Sequence, residues 1–329
     1  VTSPTDAPLL SVVGLRTVFA VAGEEAAAVD GVSFALSAGR TLGLVGESGC
    51  GKSMTALSIM RLVRPPGRIS AGHVWFEGRD LLTLAEPEMR RVRGRRIGFV
   101  FQEPSVALNP VYTIGHQIVE TLAVHGLSRG RAAWRRAEEL LAAVRVPDPP
   151  RRAREYPHQL SGGLRQRAMI ALALSAEPRL LIADEPTTAL DVTVQAEILE
   201  LIADMRRAFG LALLLITHDL GVVAHMADDV AVMYAGRVVE SAPVGSLFGA
   251  PAHPYTRGLL GSVPSGEPGR PLVSIPGVVP RLGQAGPGCA FAPRCPDRLD
   301  RCATVRPAES SAGPDDGHRV SCHVSGGAP

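Results

Sequence analysis

Aromatic side chains are scarce, at 4% of 329 residues, which argues against the base-stacking platforms that single-stranded nucleic acid needs. A dominant charge is missing too. The chain carries 34 basic and 32 acidic residues, a net +2, so no basic field points to nucleic acid as a partner. No apolar run approaches the ~18 residues needed to cross a bilayer. The longest, Ala168–Ala173 and Leu211–Ile216, have the length of core elements. Val1-Thr2-Ser3-Pro4 lacks a basic segment followed by an apolar one, so no secretory signal is expected. The expectation is a soluble cytoplasmic protein whose membrane role, if any, comes through a partner. Internal repeats are absent as well. Lysine is nearly so: Lys52 is the only one, and every other basic side chain is arginine.

That lysine lies in Gly46-Glu47-Ser48-Gly49-Cys50-Gly51-Lys52-Ser53. The apolar run Thr41–Val45 before it reads as a buried strand, and Met54–Met60 after it as a helix. A strand, a glycine-rich turn and a helix start form a phosphate cradle, because successive N–H groups turn inward at a positive helix end. Lys52 is placed to reach the β- and γ-phosphates, and the Ser53 hydroxyl to sit on Mg²⁺. A chain that otherwise uses arginine keeps a slim, flexible point charge here.

The length allows one sizeable core and a smaller second region. Period-two patterning predicts strands at Leu10–Phe19, Ala28–Leu36, Thr41–Val45 and His73–Phe76. An arginine-heavy helix is expected over Pro87–Arg96, then a buried strand at Ile97–Phe101. Ile114–Val146 reads as purely helical and polar, an insertion closed by Pro147, Pro149 and Pro150. A helix to about Ser175, strands at Leu180–Ala183 and Ala212–Thr217, a helix over Val192–Phe209 and a strand pair at Val230–Tyr234 and Val238–Glu240 complete the pattern. Alternation of this kind argues for a mostly parallel α/β domain. Beyond Pro243 the composition turns to proline, glycine and serine, a separate segment too loop-rich for a large core.

The run ending at Asp184-Glu185 reads as the second half of a nucleotide site. Asp184 at a strand end can hold Mg²⁺ through its waters, and Glu185 can polarise the attacking water. His218 follows another buried strand and reads as a γ-phosphate donor; on its own it would be a structural histidine. Gln102, also at a strand end, can sense metal or water; without the rest it would be a surface amide. Leu160-Ser161-Gly162-Gly163-Leu164-Arg165-Gln166 opens a helix with a second anion site of N–H groups and a hydroxyl. A monomer has no use for two cradles; a second subunit does.

With Thr188-Ala189-Leu190-Asp191, these residues resemble the ATP-binding cassette (ABC) superfamily over residues 9 to about 241. The resemblance implies an α/β P-loop NTPase (RecA-like) core with an antiparallel β subdomain and a helical signature subdomain. The ATPase domain would span 1–243, its helical part about 103–167, and a cysteine-containing extension 244–329. Two cassettes of that family sandwich two ATP molecules. Ser161, Gly162, Gly163 and Gln166 would then serve the partner's ATP, Asp191 would lie at the dimer seam, and Phe19 would stack on adenine or simply end a core strand. A phosphate-loop kinase would leave Ser161–Gly163 unexplained.

Phe101-Gln102-Glu103-Pro104, Leu108-Asn109-Pro110, Tyr156-Pro157-His158-Gln159-Leu160 and His253-Pro254-Tyr255-Thr256 narrow the resemblance to oligopeptide/dipeptide/nickel importer ATPases. Leu164 resembles the first of their two ATPase subunit types. This implies a second ATPase subunit (a heterodimer, or a homodimer), two transmembrane permease subunits and an extracytoplasmic solute-binding protein, with the chain on the cytoplasmic face of the membrane. The solute would be a di- or oligopeptide, with nickel and glutathione-like solutes as alternatives. A soluble nucleic-acid- or ribosome-associated cassette is the rival class, but tandem cassettes and a basic stripe are absent.

Cys289, Cys295, Cys302 and Cys322 are spaced C-x5-C-x6-C-x19-C. A cytosolic setting disfavours structural disulfides, and the tight pair usual in zinc sites is missing. Four thiolates on a wide loop suit an iron–sulfur cluster, with zinc or free thiols as alternatives and His318 and His323 as possible second partners. The tail resembles the extension of peptide-importer ATPases, some of which carry a [4Fe–4S] cluster there. Cys50 fills a variable loop position and is expected to be oxidation-sensitive rather than a ligand.

Overall fold

A computed structural model describes residues 7–21, 23–188, 190–262, 274–313 and 317–325. The reading of Val1–Pro4 and that of Ala189 lie outside the described residues. The chain divides into two units: Val1–Ser37, Thr41–Leu82 and Leu215–Pro329 form the first, Ala38–Arg40 and Thr83–Leu214 the second.

In the first unit, β1 (Leu10–Val21) and β2 (Glu24–Leu36) pair as an antiparallel hairpin from Val21↔Glu24 to Leu10↔Leu36. The hairpin reaches four residues nearer its turn than the sequence pattern predicts, because cross-strand bonds hold Glu24–Ala27 extended although their alternation is weak. β4 (Arg68–Phe76) joins the other edge of β1, and β5 (Arg79–Asp80) ends that sheet. β3 (Thr41–Val45) is buried at all five positions, as a strand covered on both faces must be. It leads to α1 (Lys52–Ile59) and pairs in parallel with β9 (Asp229–Tyr234). β10 (Arg237–Pro243) returns antiparallel to β9, then pairs with β12 (Arg319–Val320), which pairs with β11 (Ser310–Ser311). Ahead of β9 runs α9 (Leu220–Met226), a seven-residue helix too short to leave a periodic signature.

The second unit contains α2 (Glu86–Val92), β6 (Ile97–Val100), α3 (Pro104–Ala107), α4 (Ile114–Val124), α5 (Gly130–Ala143) and α6 (Pro149–Arg152). It continues with α7 (Gly162–Leu174), β7 (Leu180–Asp184) and α8 (Val192–Phe209), and takes in the start of β8 (Ala212–Thr217). β6 and β7 pair in parallel. α2 stops before the expected Arg96 because Arg93 turns extended (φ −61°, ψ 127°) ahead of the left-handed Gly94. The helical stretch 114–146 is interrupted for the same kind of reason: Gly126 takes φ 69° and ends α4. α4 and α5 bury Ile114, Ile118 and Leu122 and Ala133, Ala137, Leu140 and Leu141, at helical spacing.

The segment after Pro243 shares a core with the sheet of the first unit. α10 (Val244–Gly249) buries Leu247, and α11 (Pro254–Gly261) buries Tyr255. Tyr255 and Phe291 pack with Tyr234 of β9, ring centroids 4.7 and 5.2 Å from the Tyr234 ring. Burying aromatics of this size stabilises by about 2 kcal/mol each, which a loop-rich segment cannot achieve alone. Glu240 of β10, 1% exposed, accepts from the N–H groups of Ala252 (2.7 Å) and His253 (2.9 Å) and meets His318 Nε2 at 2.8 Å. Burial, reinforced by the nearby Arg257 charge, lowers the His253 imidazole to about 4. The ring is therefore neutral, and its Nδ1 accepts from the Tyr255 N–H at 3.0 Å.

Candidate nucleotide site

The phosphate loop sits in the first unit, at the end of β3. Gly46, Gly49 and Gly51 take φ of 152°, 79° and 103°, the region that favours glycine. Space requires two of them as well. A Cβ on Gly46 would stand 2.2 Å from the Met233 carbonyl oxygen, and one on Gly51 2.4 Å from that of Ala28. The loop's curl is thus imposed by neighbouring backbone. Gly51 caps α1 without a side chain, and no acidic residue occupies the first turn. A helix start of this kind directs N–H groups and positive potential at an anion, so the loop fits a nucleotide's phosphates. The helix begins at Lys52, two residues before the expected Met54.

Lys52 is 4% exposed. Its ammonium donates to the carbonyls of Gly46 (2.7 Å) and Glu47 (3.1 Å), folded back along the loop. Burial raises the Cys50 thiol, and the Lys52 charge only partly offsets this. That shift works against the oxidation sensitivity expected of Cys50, since the thiolate is the reactive form. Ser48 lies between Glu47 and Gly49 in the loop, and Ser53 is the second residue of α1. Phe19, near the end of β1, is half-buried, and its ring covers Gly67, where an added Cβ would meet Cε1 at 2.5 Å. His218 directly follows β8 and is exposed.

The second unit holds Asp184 and Glu185. Asp184 ends β7 and is 6% exposed. Glu185 takes φ 45°, a left-handed backbone uncommon for a non-glycine residue and typical of functional turns. Parallel pairing of Val100 with Ala183 carries Gln102 onto Glu185 two residues further along. Gln102 Nε2 donates to Glu185 Oε2 at 3.2 Å, and Thr188 Oγ1 donates to the same oxygen at 2.8 Å. The sequence pattern treats Gln102 and Glu185 separately and names Thr188 only within the motif ending at Asp191, without a role; its three-residue offset from Glu185 within a turn was the available signal.

Ser161 caps α7, its hydroxyl accepting from the Leu164 N–H at 3.4 Å. Ser161 and Gly162 are exposed, and a Cβ on Gly163 would meet Val194 Cγ1 of α8 at 2.9 Å. Gln166 is buried and donates to the Pro186 carbonyl at 2.6 Å, tying α7 to the turn after Glu185. Asp191 is exposed and caps α8, accepting from the Val194 N–H at 2.9 Å.

The tail cysteines differ from the expectation of a ready ligand set. All are free thiols; Cys302 is buried, and Cys289, Cys295 and Cys322 are half-buried. Each of Cys289 and Cys295 lies within electrostatic range of Cys322 and of the other, Cys289 also of Cys302, and burial raises both their thiols. Among the described residues, however, no group of three or more His, Cys, Asp or Glu side chains stands where it could hold a metal ion. The residues as placed do not fit a cluster. Cys302 sits in a 3₁₀ turn, its carbonyl accepting from the Cys289 N–H at 2.9 Å, and Cys289 and Cys295 pack against the aromatic core.

Among the described residues, no helix is long and apolar enough to cross a membrane.

Residues 29–188 match the family "ABC transporter", and residues 239–302 match "Oligopeptide/dipeptide transporter, C-terminal region". The chain is 52% identical over 319 residues to a "Probable peptide ABC transporter ATP-binding protein" of Sinorhizobium fredii, covering 95% of this chain and 94% of that one. It is 51% identical over 325 residues to a protein of Brucella melitensis named for peptide import and ATP binding, covering 95% and 96%. Among solved structures, a dimeric ATP-binding cassette in a post-hydrolysis state with ADP and Pi matches with TM-score 0.64 and 27% identity. That match covers 71% of this chain and 98% of the other. A component of an ABC transporter complex from Clostridium perfringens, 24% identical, shares the fold with TM-score 0.62 over 74% and 92%. The α/β core is thus that of a P-loop ATPase cassette, and the chain belongs to the ATP-binding proteins of ABC transporters, in the branch that carries the oligopeptide/dipeptide transporter C-terminal region.

Proposed function

We propose that this chain is the ATP-hydrolysing subunit that powers a membrane importer of di- or oligopeptides. The observation that carries the reading is the glycine-forced loop Gly46–Ser53, which holds the chain's single lysine at a helix start. In this reading Lys52 and the loop N–H groups bind the phosphates, and Ser53 and Asp184 serve Mg²⁺ with Gln102. Phe19 meets the adenine, and Mg²⁺ supplies charge neutralisation at the phosphates. Glu185 Oε2 accepts the proton of the attacking water, and His218 donates to the γ-phosphate. Ser161, Gly162, Gly163 and Asp191 face a second ATPase subunit, the two pairing around ATP; the resemblance of Leu164 to the first of two ATPase subunit types makes a heterodimer the first choice. Residues 1–243 form the ATPase domain and 244–329 the extension. Two permease subunits and an extracytoplasmic binding protein complete the importer, and the chain sits on the cytoplasmic face.

Peptide as the solute is supported by the extension and by the relatives' names; nickel and glutathione-like solutes are the alternatives. Deleting the gene in an auxotroph is expected to abolish growth on di- and oligopeptides supplying the required amino acid, while growth on the free amino acid persists. Unchanged growth on peptides would remove the substrate assignment.

For the tail, a [4Fe–4S] cluster or zinc on Cys289, Cys295, Cys302 and Cys322 requires the thiols to close in from their present arrangement; their mutual proximity supports the reading. Anaerobically purified protein is expected to carry iron on these thiolates and to be coloured by it. A colourless, metal-free preparation rules out both.

A further inference from the structure

Glu47, the second residue of the phosphate loop, is gripped by the C-terminal extension at both side chain and backbone. Arg294 meets its carboxylate through two bonds, Nη1 to Oε2 at 2.6 Å and Nη2 to Oε1 at 2.9 Å. A forked pair of this kind fixes orientation as well as distance. The Glu47 N–H donates to the Tyr255 hydroxyl at 2.9 Å.

The grip stands on a rigid base. The Arg294 side chain is 5% exposed, and its Nε donates to the Pro276 carbonyl at 2.8 Å. Its guanidinium lies 5.7 Å from the Tyr234 ring centroid and 5.9 Å from that of Phe291. Tyr255 is fully buried against the same two rings.

On the loop side, the Glu47 carbonyl is one of the two acceptors that hold the Lys52 ammonium. The residue held by the extension therefore also helps to hold the lysine that meets phosphate. Displacing Glu47 would displace an acceptor of Lys52, and with it the curl from Gly46 to Gly49.

We infer that Arg294 and Tyr255 are positioning residues for nucleotide binding, through which the C-terminal extension holds the phosphate loop in its anion-accepting shape. The inference rests on the reading of Gly46–Ser53 as the ATP cradle. It gives the extension a part in the ATPase cycle that neither its loop-rich composition nor its cysteines suggest.

The test is titration of the full chain with trinitrophenyl-ATP and Mg²⁺. Wild type is compared with Glu47→Gln, Tyr255→Phe, Arg294→Gln, the Glu47→Gln/Arg294→Gln pair and Lys52→Ala. Glu47→Gln and Arg294→Gln are each expected to weaken binding about tenfold, the scale of one lost charge-assisted contact, and Tyr255→Phe, which removes a neutral acceptor, about fivefold. The double variant should bind no more weakly than its weaker parent, since both changes break one contact. Arg294→Lys, a point charge without the fork, should recover part of the loss. A purely structural Arg294 would instead leave Glu47→Gln silent. If Arg294→Gln fails to fold, Glu47→Gln and Tyr255→Phe decide alone, with thermal melting checking their fold. Wild-type affinity in both, while Lys52→Ala loses the probe, overturns the inference and spares the cradle. Failure of wild type to bind overturns both.

Discussion

Glu185→Gln is expected to bind ATP as wild type does and to hydrolyse it about 10²–10³-fold more slowly, the range that a positioned general base supplies. The substitution is nearly isosteric. Glu185 Oε2 accepts from Gln102 Nε2 at 3.2 Å and Thr188 Oγ1 at 2.8 Å, and a glutamine oxygen can accept from both. The geometry is thereby retained, and the capacity to take a proton from water is lost. Those bonds also keep the carboxylate in place on a left-handed backbone, φ 45°, that a non-glycine residue adopts only at a cost of about 1–3 kcal/mol. Steady-state phosphate release checks the rate, and fluorescent-nucleotide titration checks binding. Turnover within a few-fold of wild type would take Glu185 out of the role of base.

The second large effect is expected at Lys52. Lys52→Ala should weaken ATP by about 100-fold, from the loss of about 2–3 kcal/mol of charge-assisted contact. Two consequences of removing the ammonium act together. The phosphates lose their point charge, and the carbonyls of Gly46 and Glu47 lose the donor that draws them together at 2.7 and 3.1 Å. Lys52→Arg should rescue little. The side chain is 4% exposed beneath a loop in which a single added carbon at Gly46 would already collide with Met233, and a guanidinium is wider than an ammonium. Titration of each variant against ATP, with melting curves to confirm folding, decides it. An alanine variant of wild-type affinity would mean that the loop is not the cradle.

The parts of the site legible in the sequence are those made by neighbours along the chain. Thr41–Val45, the glycines and α1 follow one another without interruption, so strand, turn and helix could be read as one motif. The caps Ser161 and Asp191 were equally local, each accepting from an N–H three residues on. Short elements were less legible. α9, α10 and α11 span seven, six and eight residues, too few for a helical period to stand out. Composition gave no sign of the shared core after Pro243, since scattered aromatics such as Tyr255 and Phe291 form one only with Tyr234 of β9.

By itself the sequence determined the family and pointed to Gly46–Ser53 as the proposed phosphate cradle, because a phosphate loop is specified by contiguous residue types and by backbone freedom that glycine alone supplies. Tertiary structure decided which residues far apart in the chain meet. Gln102 meets Glu185 only through the parallel register of β6 and β7, and Arg294 reaches Glu47 across 247 residues of chain. Register and long-range closure arise from the packing of whole elements, and no local pattern encodes them. The same packing leaves the four tail thiols short of a ligand set, whatever their spacing suggested.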